Sequence, residues 1–314
     1  ESGLSVMLEK TKGVIQVDKL RAILLMEADF NFYNGLMFAK RMMDRAEERQ
    51  WIPREIYGGR KNHEAIEVAL NRRFLTDISR QRRTPLAIAS VDAQTCYDRM
   101  AHSIASIAAQ GWQVDPSAIV AMLITIQRMK FFLRTAFGDS TTHFSGTPMS
   151  PFQGGCQGNK GAPALWLVVS VALVRLMHRL NLISQLRAAM TATAVTFAGF
   201  LFVDDTDLVA FSEGAEADVA LTIARLQMAV LIWQGGLRAS GGALKPKKCS
   251  WSIADFKWTQ GKWRYSSLKE TPGSIDVPNL QGELHTITRL GVSEAVKVVG
   301  VHQAMDGNMD AQVN

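Results

Sequence analysis

Cysteine is scarce in this chain of 314 residues. Cys96, Cys156 and Cys249 lie far apart and form no Cys-x-x-Cys pair. This spacing argues against a disulfide framework and against a structural zinc site, and it favours a reducing compartment. We therefore expect an intracellular protein, in either the nucleus or the cytoplasm.

Long hydrophobic runs are also missing. The most apolar stretch, 162–174, is followed by Arg175 and His178 and is shorter than the roughly 20 residues that a membrane-spanning helix requires. The sequence shows no signal peptide, no internal repeat and no low-complexity tract. It opens on Glu1 and not on an initiator Met, as expected for part of a longer protein. We expect no membrane partner.

The overall composition is that of a globular protein with a moderate basic bias. Hydrophobic residues make up 47% and charged residues 20% of the chain, and the formal net charge is +6. The length allows one large domain or about two to three subdomains. A basic surface is compatible with a polyanionic partner such as a nucleic acid.

An acidic break between two β-rich runs is the most informative stretch. The runs 194–201 and 208–211 flank Phe202-Val203-Asp204-Asp205. This pattern predicts a β-hairpin with Asp204 and Asp205 at its tip. Adjacent carboxylates repel each other unless a cation lies between them, and their hard oxygen atoms suit Mg²⁺. The alternative is an ordinary solvated acidic turn.

Several other elements can be predicted from periodicity. The segment 85–91 reads as a buried strand that ends in Asp92, and the apolar run from Ala162 to about Leu186 reads as a helix. The segment 296–301 reads as a strand. The helix after residue 61 is predicted to bury one apolar stripe and to expose its arginines, among them Arg72; the stripe consists of Ile66, Leu70, Phe74 and Ile78.

Four short motifs follow one another along this alternation of strands and helices. They are Asp92-Ala93-Gln94-Thr95-Cys96-Tyr97-Asp98, Gln157-Gly158-Asn159-Lys160-Gly161-Ala162-Pro163, Phe202-Val203-Asp204-Asp205 and Leu244-Lys245-Pro246-Lys247-Lys248. In this order they resemble motifs A to D of reverse transcriptases, in the style of non-LTR retrotransposons and group II introns. The resemblance extends from Tyr57-Gly58-Gly59-Arg60 to Val299-Gly300.

The resemblance implies a set of site residues. Asp92 and Asp204 would bridge two Mg²⁺ ions, with Mn²⁺ as an alternative, and Asp205 would support them. Five residues would contact the incoming nucleotide: Ala93, Tyr97, Gln157, Gly158 and Lys248. Among them, Tyr97 would exclude a 2′-hydroxyl. Lys248 would either lie near the triphosphate or be an ordinary solvated lysine. Five more would contact primer and template: Phe202, Arg60, Lys61, Val299 and Gly300. The sequence departs from the family where Ala162 replaces Ser and Phe202 replaces Tyr.

The resemblance also implies an architecture. It is an α+β right-hand polymerase with a ferredoxin-like palm sheet, largely helical fingers and a mostly absent thumb. Residues 1–85 would form the fingers, with 130–160 contributing, and 86–270 the palm that carries motifs A to D. Residues 271–314 would complete the palm with a primer-grip-like hairpin and begin a truncated thumb.

The implied function is that of an RNA-directed DNA polymerase of a retroelement, an enzyme that extends a primer by two-metal nucleotidyl transfer. Its partners would be an RNA template, a DNA primer and deoxynucleoside triphosphates. The remaining domains would belong to a longer polyprotein, unless this copy is a truncated remnant. Two alternatives are a catalytically silent RNA-binding scaffold, which the retained carboxylates disfavour, and a viral RNA-directed RNA polymerase, which Tyr97 disfavours.

Overall fold

A computed structural model gives the fold and describes residues 2–16, 19–188, 190–191, 193–211, 217–279 and 281–313. The fold is mixed α+β, as predicted. The chain forms two compact units: Glu1–Ile52, Thr95–Ser170 and Ser240–Gly242 make the first, and Pro53–Gln94, Val171–Ala239 and Ala243–Asn314 the second. The predicted division into fingers, palm and thumb stays a prediction.

Helices and strands alternate along the whole chain. The helices are α1 (Ala28–Asn34), α2 (Met43–Glu48), α3 (Ala65–Arg82), α4 (Cys96–Arg99), α5 (His102–Gly111), α6 (Pro116–Arg128), α7 (Ala162–Arg179), α8 (Val219–Ala239) and α9 (Asp310–Val313), with a π-helix over Gly35–Met42 and a 3-10 turn over Pro246–Lys248. The strands are β1 (Ser2–Glu9), β2 (Leu20–Leu25), β3 (Leu86–Asp92), β4 (Lys130–Thr135), β5 (Gly138–Ser145), β6 (Ser184–Arg187), β7 (Ala194–Phe197), β8 (Gly199–Phe202), β9 (Asp205–Phe211), β10 (Ser250–Ala254), β11 (Phe256–Thr259), β12 (Lys262–Tyr265), β13 (Asp276–Pro278), β14 (Leu284–Thr286), β15 (Thr288–Leu290), β16 (Val296–Val298) and β17 (Val301–Gln303).

The first unit contains a four-stranded sheet in the order β2-β1-β4-β5. Strand β1 is antiparallel to β2 and parallel to β4, and β4 forms an antiparallel hairpin with β5. Helices α5 and α6 precede β4 in the sequence and contact each other. The start of α6 is fixed by Asp115, whose carboxylate accepts from the Ser117 amide at 2.7 Å, and by Pro116 at the first helical position.

The second unit is built on a five-stranded sheet in the order β15-β10-β3-β9-β8. Its central strand β3 is antiparallel to both β10 and β9. Consecutive residues of β3 from Leu86 to Ala89 are buried, so both faces of the sheet are covered. Helix α3 contributes Val68 and Leu75 to the core on one face, where they join Leu86, Ile88 and other apolar residues. Helix α8 also contacts β3 and β9.

The buried face of α3 differs from the prediction. Ile66, Leu70 and Phe74 are 46%, 46% and 58% exposed, so the predicted apolar stripe is wrong at these three positions, and of its members Ile78 packs against the core. The side of the helix that faces the sheet instead carries Val68, Ala69, Arg72, Leu75, Thr76 and Ser79. Half of this set is polar, and each of those polar side chains has a hydrogen-bond acceptor inside the unit. Polar side chains can be buried when they have such partners. A prediction that counts only apolar residues therefore does not detect this buried face.

Two further boundaries differ from expectation. Helix α7 ends at Arg179 and not near Leu186, because Asn181 adopts φ +55° and the chain closes with the hydrogen bonds of a Schellman motif, including Leu182 N–H to Met177 O at 2.9 Å. The run 194–201 is divided between β7, which pairs with β6, and β8, which pairs with β9. The predicted strand 296–301 is a hairpin of β16 and β17.

Two helices in the described part of the chain, α7 and α8, are long and apolar enough to cross a membrane by length and composition alone. In α7, 67% of the most apolar window is buried inside the protein, as in the core helix of a globular domain. In α8 the share is 33%, and its buried residues form a stripe that includes Leu226, Val230, Trp233 and Leu237. This stripe belongs to a helix that contacts β3 and β9, which is how an amphipathic helix covers a sheet.

Candidate active site

Two of the predicted carboxylates meet across paired strands. Asp92 is the last residue of β3, and Asp205 is the first residue of β9 and its direct cross-strand partner. Partners in an antiparallel pair project to the same face, so the two side chains share one side of the sheet. Asp204 lies in the two-residue turn between β8 and β9, which confirms the predicted hairpin with an Asp pair at its tip.

The hairpin turn carries a strained residue. Val203 has φ +58°, a region in which β-branched residues are rare because the side chain collides with its own backbone. Gly58 lies directly against this turn, and a methyl group there would overlap the backbone nitrogen of Val203. Strained backbone of this kind persists only where the surrounding structure holds it, and it is frequent at functional sites.

The carboxylates have little cationic compensation. Lys248, at the end of the 3-10 turn, places its Nζ atom 3.5 Å from an oxygen of Asp92 and is itself exposed. Although part of Asp205 faces solvent, partial desolvation, followed by the charges of Asp204, Asp207 and Asp92, raises the pKa of its carboxyl group to about 6. The nearby Lys248 lowers that pKa but does not offset the acidic neighbours. The site therefore favours an added positive charge.

A buried network lies next to this pair and was missed by the sequence analysis. Ser90 and Asp207 are cross-strand partners two residues before Asp92 and two after Asp205. Ser90 Oγ donates to Asp207 at 2.5 Å, and Arg72 of α3 donates to the other oxygen of Asp207 at 2.6 Å. The sequence could have indicated Asp207, because side chains two residues apart on a strand point to the same face, and Asp207 lies two residues after Asp205. Arg72 is 2% exposed, so the prediction that it belongs to a solvated basic face is wrong.

A cleft of about 280 Å³ opens at these residues. Its walls include Asp92, Asp205 and Lys248, and also β16 with the turn residue that follows it. The turn between β16 and β17 is Val299-Gly300, with φ values of +42° and +95°, and Val299 lines the cleft. Val299 of the predicted primer-grip turn and two of the three predicted metal carboxylates, Asp92 and Asp205, therefore border one cavity of the second unit.

The residues suit a divalent cation in their chemistry, because carboxylate oxygens are the ligands that Mg²⁺ prefers. Within the described residues, however, no group of three or more His, Cys, Asp or Glu side chains is close enough to hold a metal ion. The backbone thus places Asp92 and Asp205 directly across from each other on paired strands. The side chains of Asp92, Asp204 and Asp205 nevertheless form no three-ligand group.

Three of the predicted nucleotide-binding residues belong to the first unit. Tyr97 is half-buried in α4, and its carbonyl accepts from the Gly155 amide at 2.6 Å. The carbonyl of Gln157 accepts from the amide of Leu24 in β2 at 2.7 Å. Gly158 has φ +124°, and a methyl group there would overlap the carbonyl oxygen of Leu24. Glycine at this position is explained by the close approach of the loop to β2.

The remaining predicted residues have local partners in the second unit. Ala93 forms an isolated bridge with Leu244, next to the end of β3. Arg60 is half-buried and donates to the carbonyl of Ile56 at 2.9 Å, whereas Lys61 is exposed. Phe202 ends β8 opposite Asp205 and packs against the apolar core of the unit.

Comparison with known proteins gives similarity in structure only. No family model and no curated protein sequence matches the chain. Among solved structures, apo telomerase from Candida tropicalis truncated from its C-terminal domain has TM-score 0.50 and 12% identity over 83% of this chain and 52% of its own. Telomerase in complex with a TWJ fragment of telomeric RNA gives TM-score 0.51 and 11% identity for Candida tropicalis, over 80% of this chain and 41% of that one. The corresponding Candida albicans complex has TM-score 0.50 and 11% identity, over 88% of this chain and 43% of that one.

The chain thus spans about half the length, or less, of the telomerases it matches. At such low identity a structural likeness speaks for the fold alone. Telomerase is an enzyme of the reverse transcriptase family. The chain has a reverse-transcriptase-like fold.

Proposed function

We propose that the chain is the polymerase domain of an RNA-directed DNA polymerase encoded by a retroelement, and that it adds deoxynucleotides to a primer 3′-hydroxyl. The observation that carries this proposal is the pairing of Asp92 with Asp205, beside Asp204 in the adjoining turn. Carboxylates on rigid strands at the edge of a cleft are what two-metal phosphoryl transfer requires. The two neighbours solved with telomeric RNA support RNA as a partner.

Asp92 and Asp204 would hold two Mg²⁺ ions, with Asp205 as a supporting ligand. When bound, such ions stabilise the charge that develops on the attacking and leaving oxygens of an in-line displacement. Because the described side chains form no three-ligand group, the carboxylates would have to turn toward one another to hold the ions. Partial desolvation and, after it, the acidic neighbours raise the pKa of Asp205 to about 6. A bound cation would relieve the repulsion among these carboxylates.

Three other predictions concern positioning and sugar selection. Lys248 would supply a cation for a triphosphate oxygen, because its contact with Asp92 at 3.5 Å is loose and its side chain is exposed. The turn Val299-Gly300 would hold the primer backbone, since it is a tight bend and its Val299 lines the cleft together with Asp92 and Asp205. Tyr97 would select deoxynucleotides.

The test is primer extension on an RNA template with Mg²⁺, with deoxynucleotides compared with ribonucleotides. We expect Asp92→Asn and Asp204→Asn to lose extension and to keep their affinity for the RNA·DNA hybrid, because each removes a metal ligand and no phosphate contact. Asp44→Asn is the matched control, because Asp44 is an exposed carboxylate of α2 outside the site. Equal extension by the parent and both site variants would overturn the metal assignment.

The second candidate is an RNA-binding scaffold without polymerase activity. It is favoured by one observation, that the described carboxylates form no three-ligand group. This alternative predicts salt-sensitive binding of the hybrid and no incorporation of deoxynucleotides by the parent protein, with or without Mn²⁺. Incorporation that is lost in Asp204→Asn would exclude it.

A further inference from the structure

The hairpin of β11 and β12 exposes two tryptophans at its outer end. Trp258 and Trp263 are cross-strand partners whose ring centroids lie 5.4 Å apart at an interplanar angle of 71°. Their exposed fractions are 60% and 46%. At the base of the same face, Phe256 and Tyr265 form a second pair that packs against the core of the unit. One end of the aromatic face is therefore anchored, and the other is presented to solvent.

Cations flank the hairpin that carries this aromatic face. Lys257, Lys262 and Arg264 alternate with the aromatic residues and so project from the opposite face. Residues 256–270 contain Lys257, Lys262, Arg264 and Lys269 against the single acid Glu270. Glu270 is shared by Arg264 at 2.6 Å and Lys257 at 3.7 Å, so it cannot neutralise the segment. The C-terminal end of α3 adds the guanidinium of Arg83, which lies 5.5 Å from the centre of the Phe256 ring.

We propose that the hairpin of β11 and β12 binds single-stranded nucleic acid, with unpaired bases stacked on Trp258 and Trp263 and with phosphates held by the neighbouring cations. An exposed pair of indoles offers flat apolar surface, and the excess of lysine and arginine selects a polyanion over an apolar protein partner. Bases inside a duplex are stacked on each other and cannot reach the indoles, so the partner is single-stranded.

This surface is separate from the candidate active site. The cleft at Asp92 is lined by residues of α3, β3, β8 to β10 and β16, with Lys248 and Val299. The proposal therefore does not depend on polymerase activity, and a protein that fails to extend a primer would still be expected to bind through the tryptophans. In a working polymerase such a surface would hold unpaired template or primer RNA outside the cleft.

The experiment measures the affinity of the whole chain for a fluorescent oligouridylate of about 12 nucleotides, and for an abasic oligonucleotide of the same length. We expect the double variant Trp258→Ala with Trp263→Ala to bind the oligouridylate roughly 5- to 100-fold more weakly, while its affinity for the abasic strand stays unchanged. Trp258→Phe with Trp263→Phe should retain most of the affinity, because phenyl rings also stack. Phe137→Ala is the matched control, since Phe137 is a 99% exposed aromatic at the tip of a different hairpin, that of β4 and β5.

A second pair of variants separates charge from stacking. Lys262→Gln with Lys269→Gln should weaken binding of both strands and should reduce the dependence of affinity on salt. Unchanged affinity of the folded tryptophan-to-alanine variant for the oligouridylate would overturn the proposal. So would a parent protein that self-associates in sedimentation and becomes monomeric in that variant, because the indoles would then bind a second copy of the chain.

Discussion

Arg72 and Asp207 form an ion pair of 2.6 Å between α3 and β9, and their exposed fractions are 2% and 5%. Ser90 completes the group by donating to the second oxygen of Asp207. Asp207 and Ser90 are cross-strand partners two residues along the strands from Asp205 and Asp92, and the four side chains share one face of the sheet. The group joins the helix to the two strands whose ends carry the candidate catalytic carboxylates, and it therefore fixes the register and spacing of those ends.

The first prediction concerns the stability of this pair. Arg72→Met leaves the Asp207 carboxylate buried without its cation, so we expect a loss of about 3–5 kcal/mol in the free energy of unfolding. Urea denaturation followed by circular dichroism measures it. The control is Arg73→Met, because Arg73 pairs with Asp77 at 3.2 Å while both side chains are about a third exposed, and such a pair contributes about 0–1 kcal/mol. Similar losses in the two variants would contradict the structural role of Arg72.

The second prediction concerns the hairpin turn. Gly58→Ala places a methyl group on the backbone of Val203, so we expect the turn with Asp204 to shift and primer extension to fall by at least about tenfold, which is about 1.4 kcal/mol. Gly235→Ala is the control, because Gly235 lies in the interior of α8 with open space around it. That change should stabilise the protein by about 0.5–1 kcal/mol and leave extension unchanged. Full activity in Gly58→Ala would show that the turn tolerates displacement.

The features that sequence analysis predicted correctly are those that local pattern determines. Strand β3 with Asp92 at its end and the hairpin around Asp204 follow from short apolar β-rich runs and an acidic break. The buried face of α3 could not be predicted in this way, because it contains Arg72, whose partner Asp207 is 135 residues away. Periodicity counts apolar residues, and a polar residue satisfied by a distant partner is assigned to the surface.

The third prediction concerns sugar selection, and it rests on the proposed function. If the ring of Tyr97 blocks a 2′-hydroxyl, Tyr97→Ala should lower the ratio of kcat/KM for deoxynucleotides over ribonucleotides by at least about tenfold, equivalent to about 1.4 kcal/mol. Tyr97→Phe keeps the ring and should keep the ratio. Single-nucleotide incorporation on an RNA template gives both values. Discrimination that is the same in Tyr97→Ala and in the parent would refute the role of the ring.

The fourth prediction concerns pH and the first unit. His102 is buried, its Nε2 atom lies 2.7 Å from the carbonyl of Gly154, and its Nδ1 atom lies 2.9 Å from the side-chain amide of Gln127. The ring therefore donates through Nε2 and accepts at Nδ1, which is the neutral form. Burial lowers the pKa of His102, and the hydrogen bond to Gly154 offsets this only in part.

The sign of the effect follows from this lowered pKa. Below about pH 6.5 the unfolded chain takes up a proton that the folded protein resists, so the free energy of unfolding should be highest above that pH and should fall as the pH drops toward the folded-state pKa. His102→Gln removes the titrating group and should flatten this part of the profile, measured by urea denaturation between about pH 7.5 and pH 5.5. His143→Gln, a change at an exposed histidine of β5, should keep the parent profile. A His102→Gln profile as steep as that of the parent would assign the acid sensitivity to other groups.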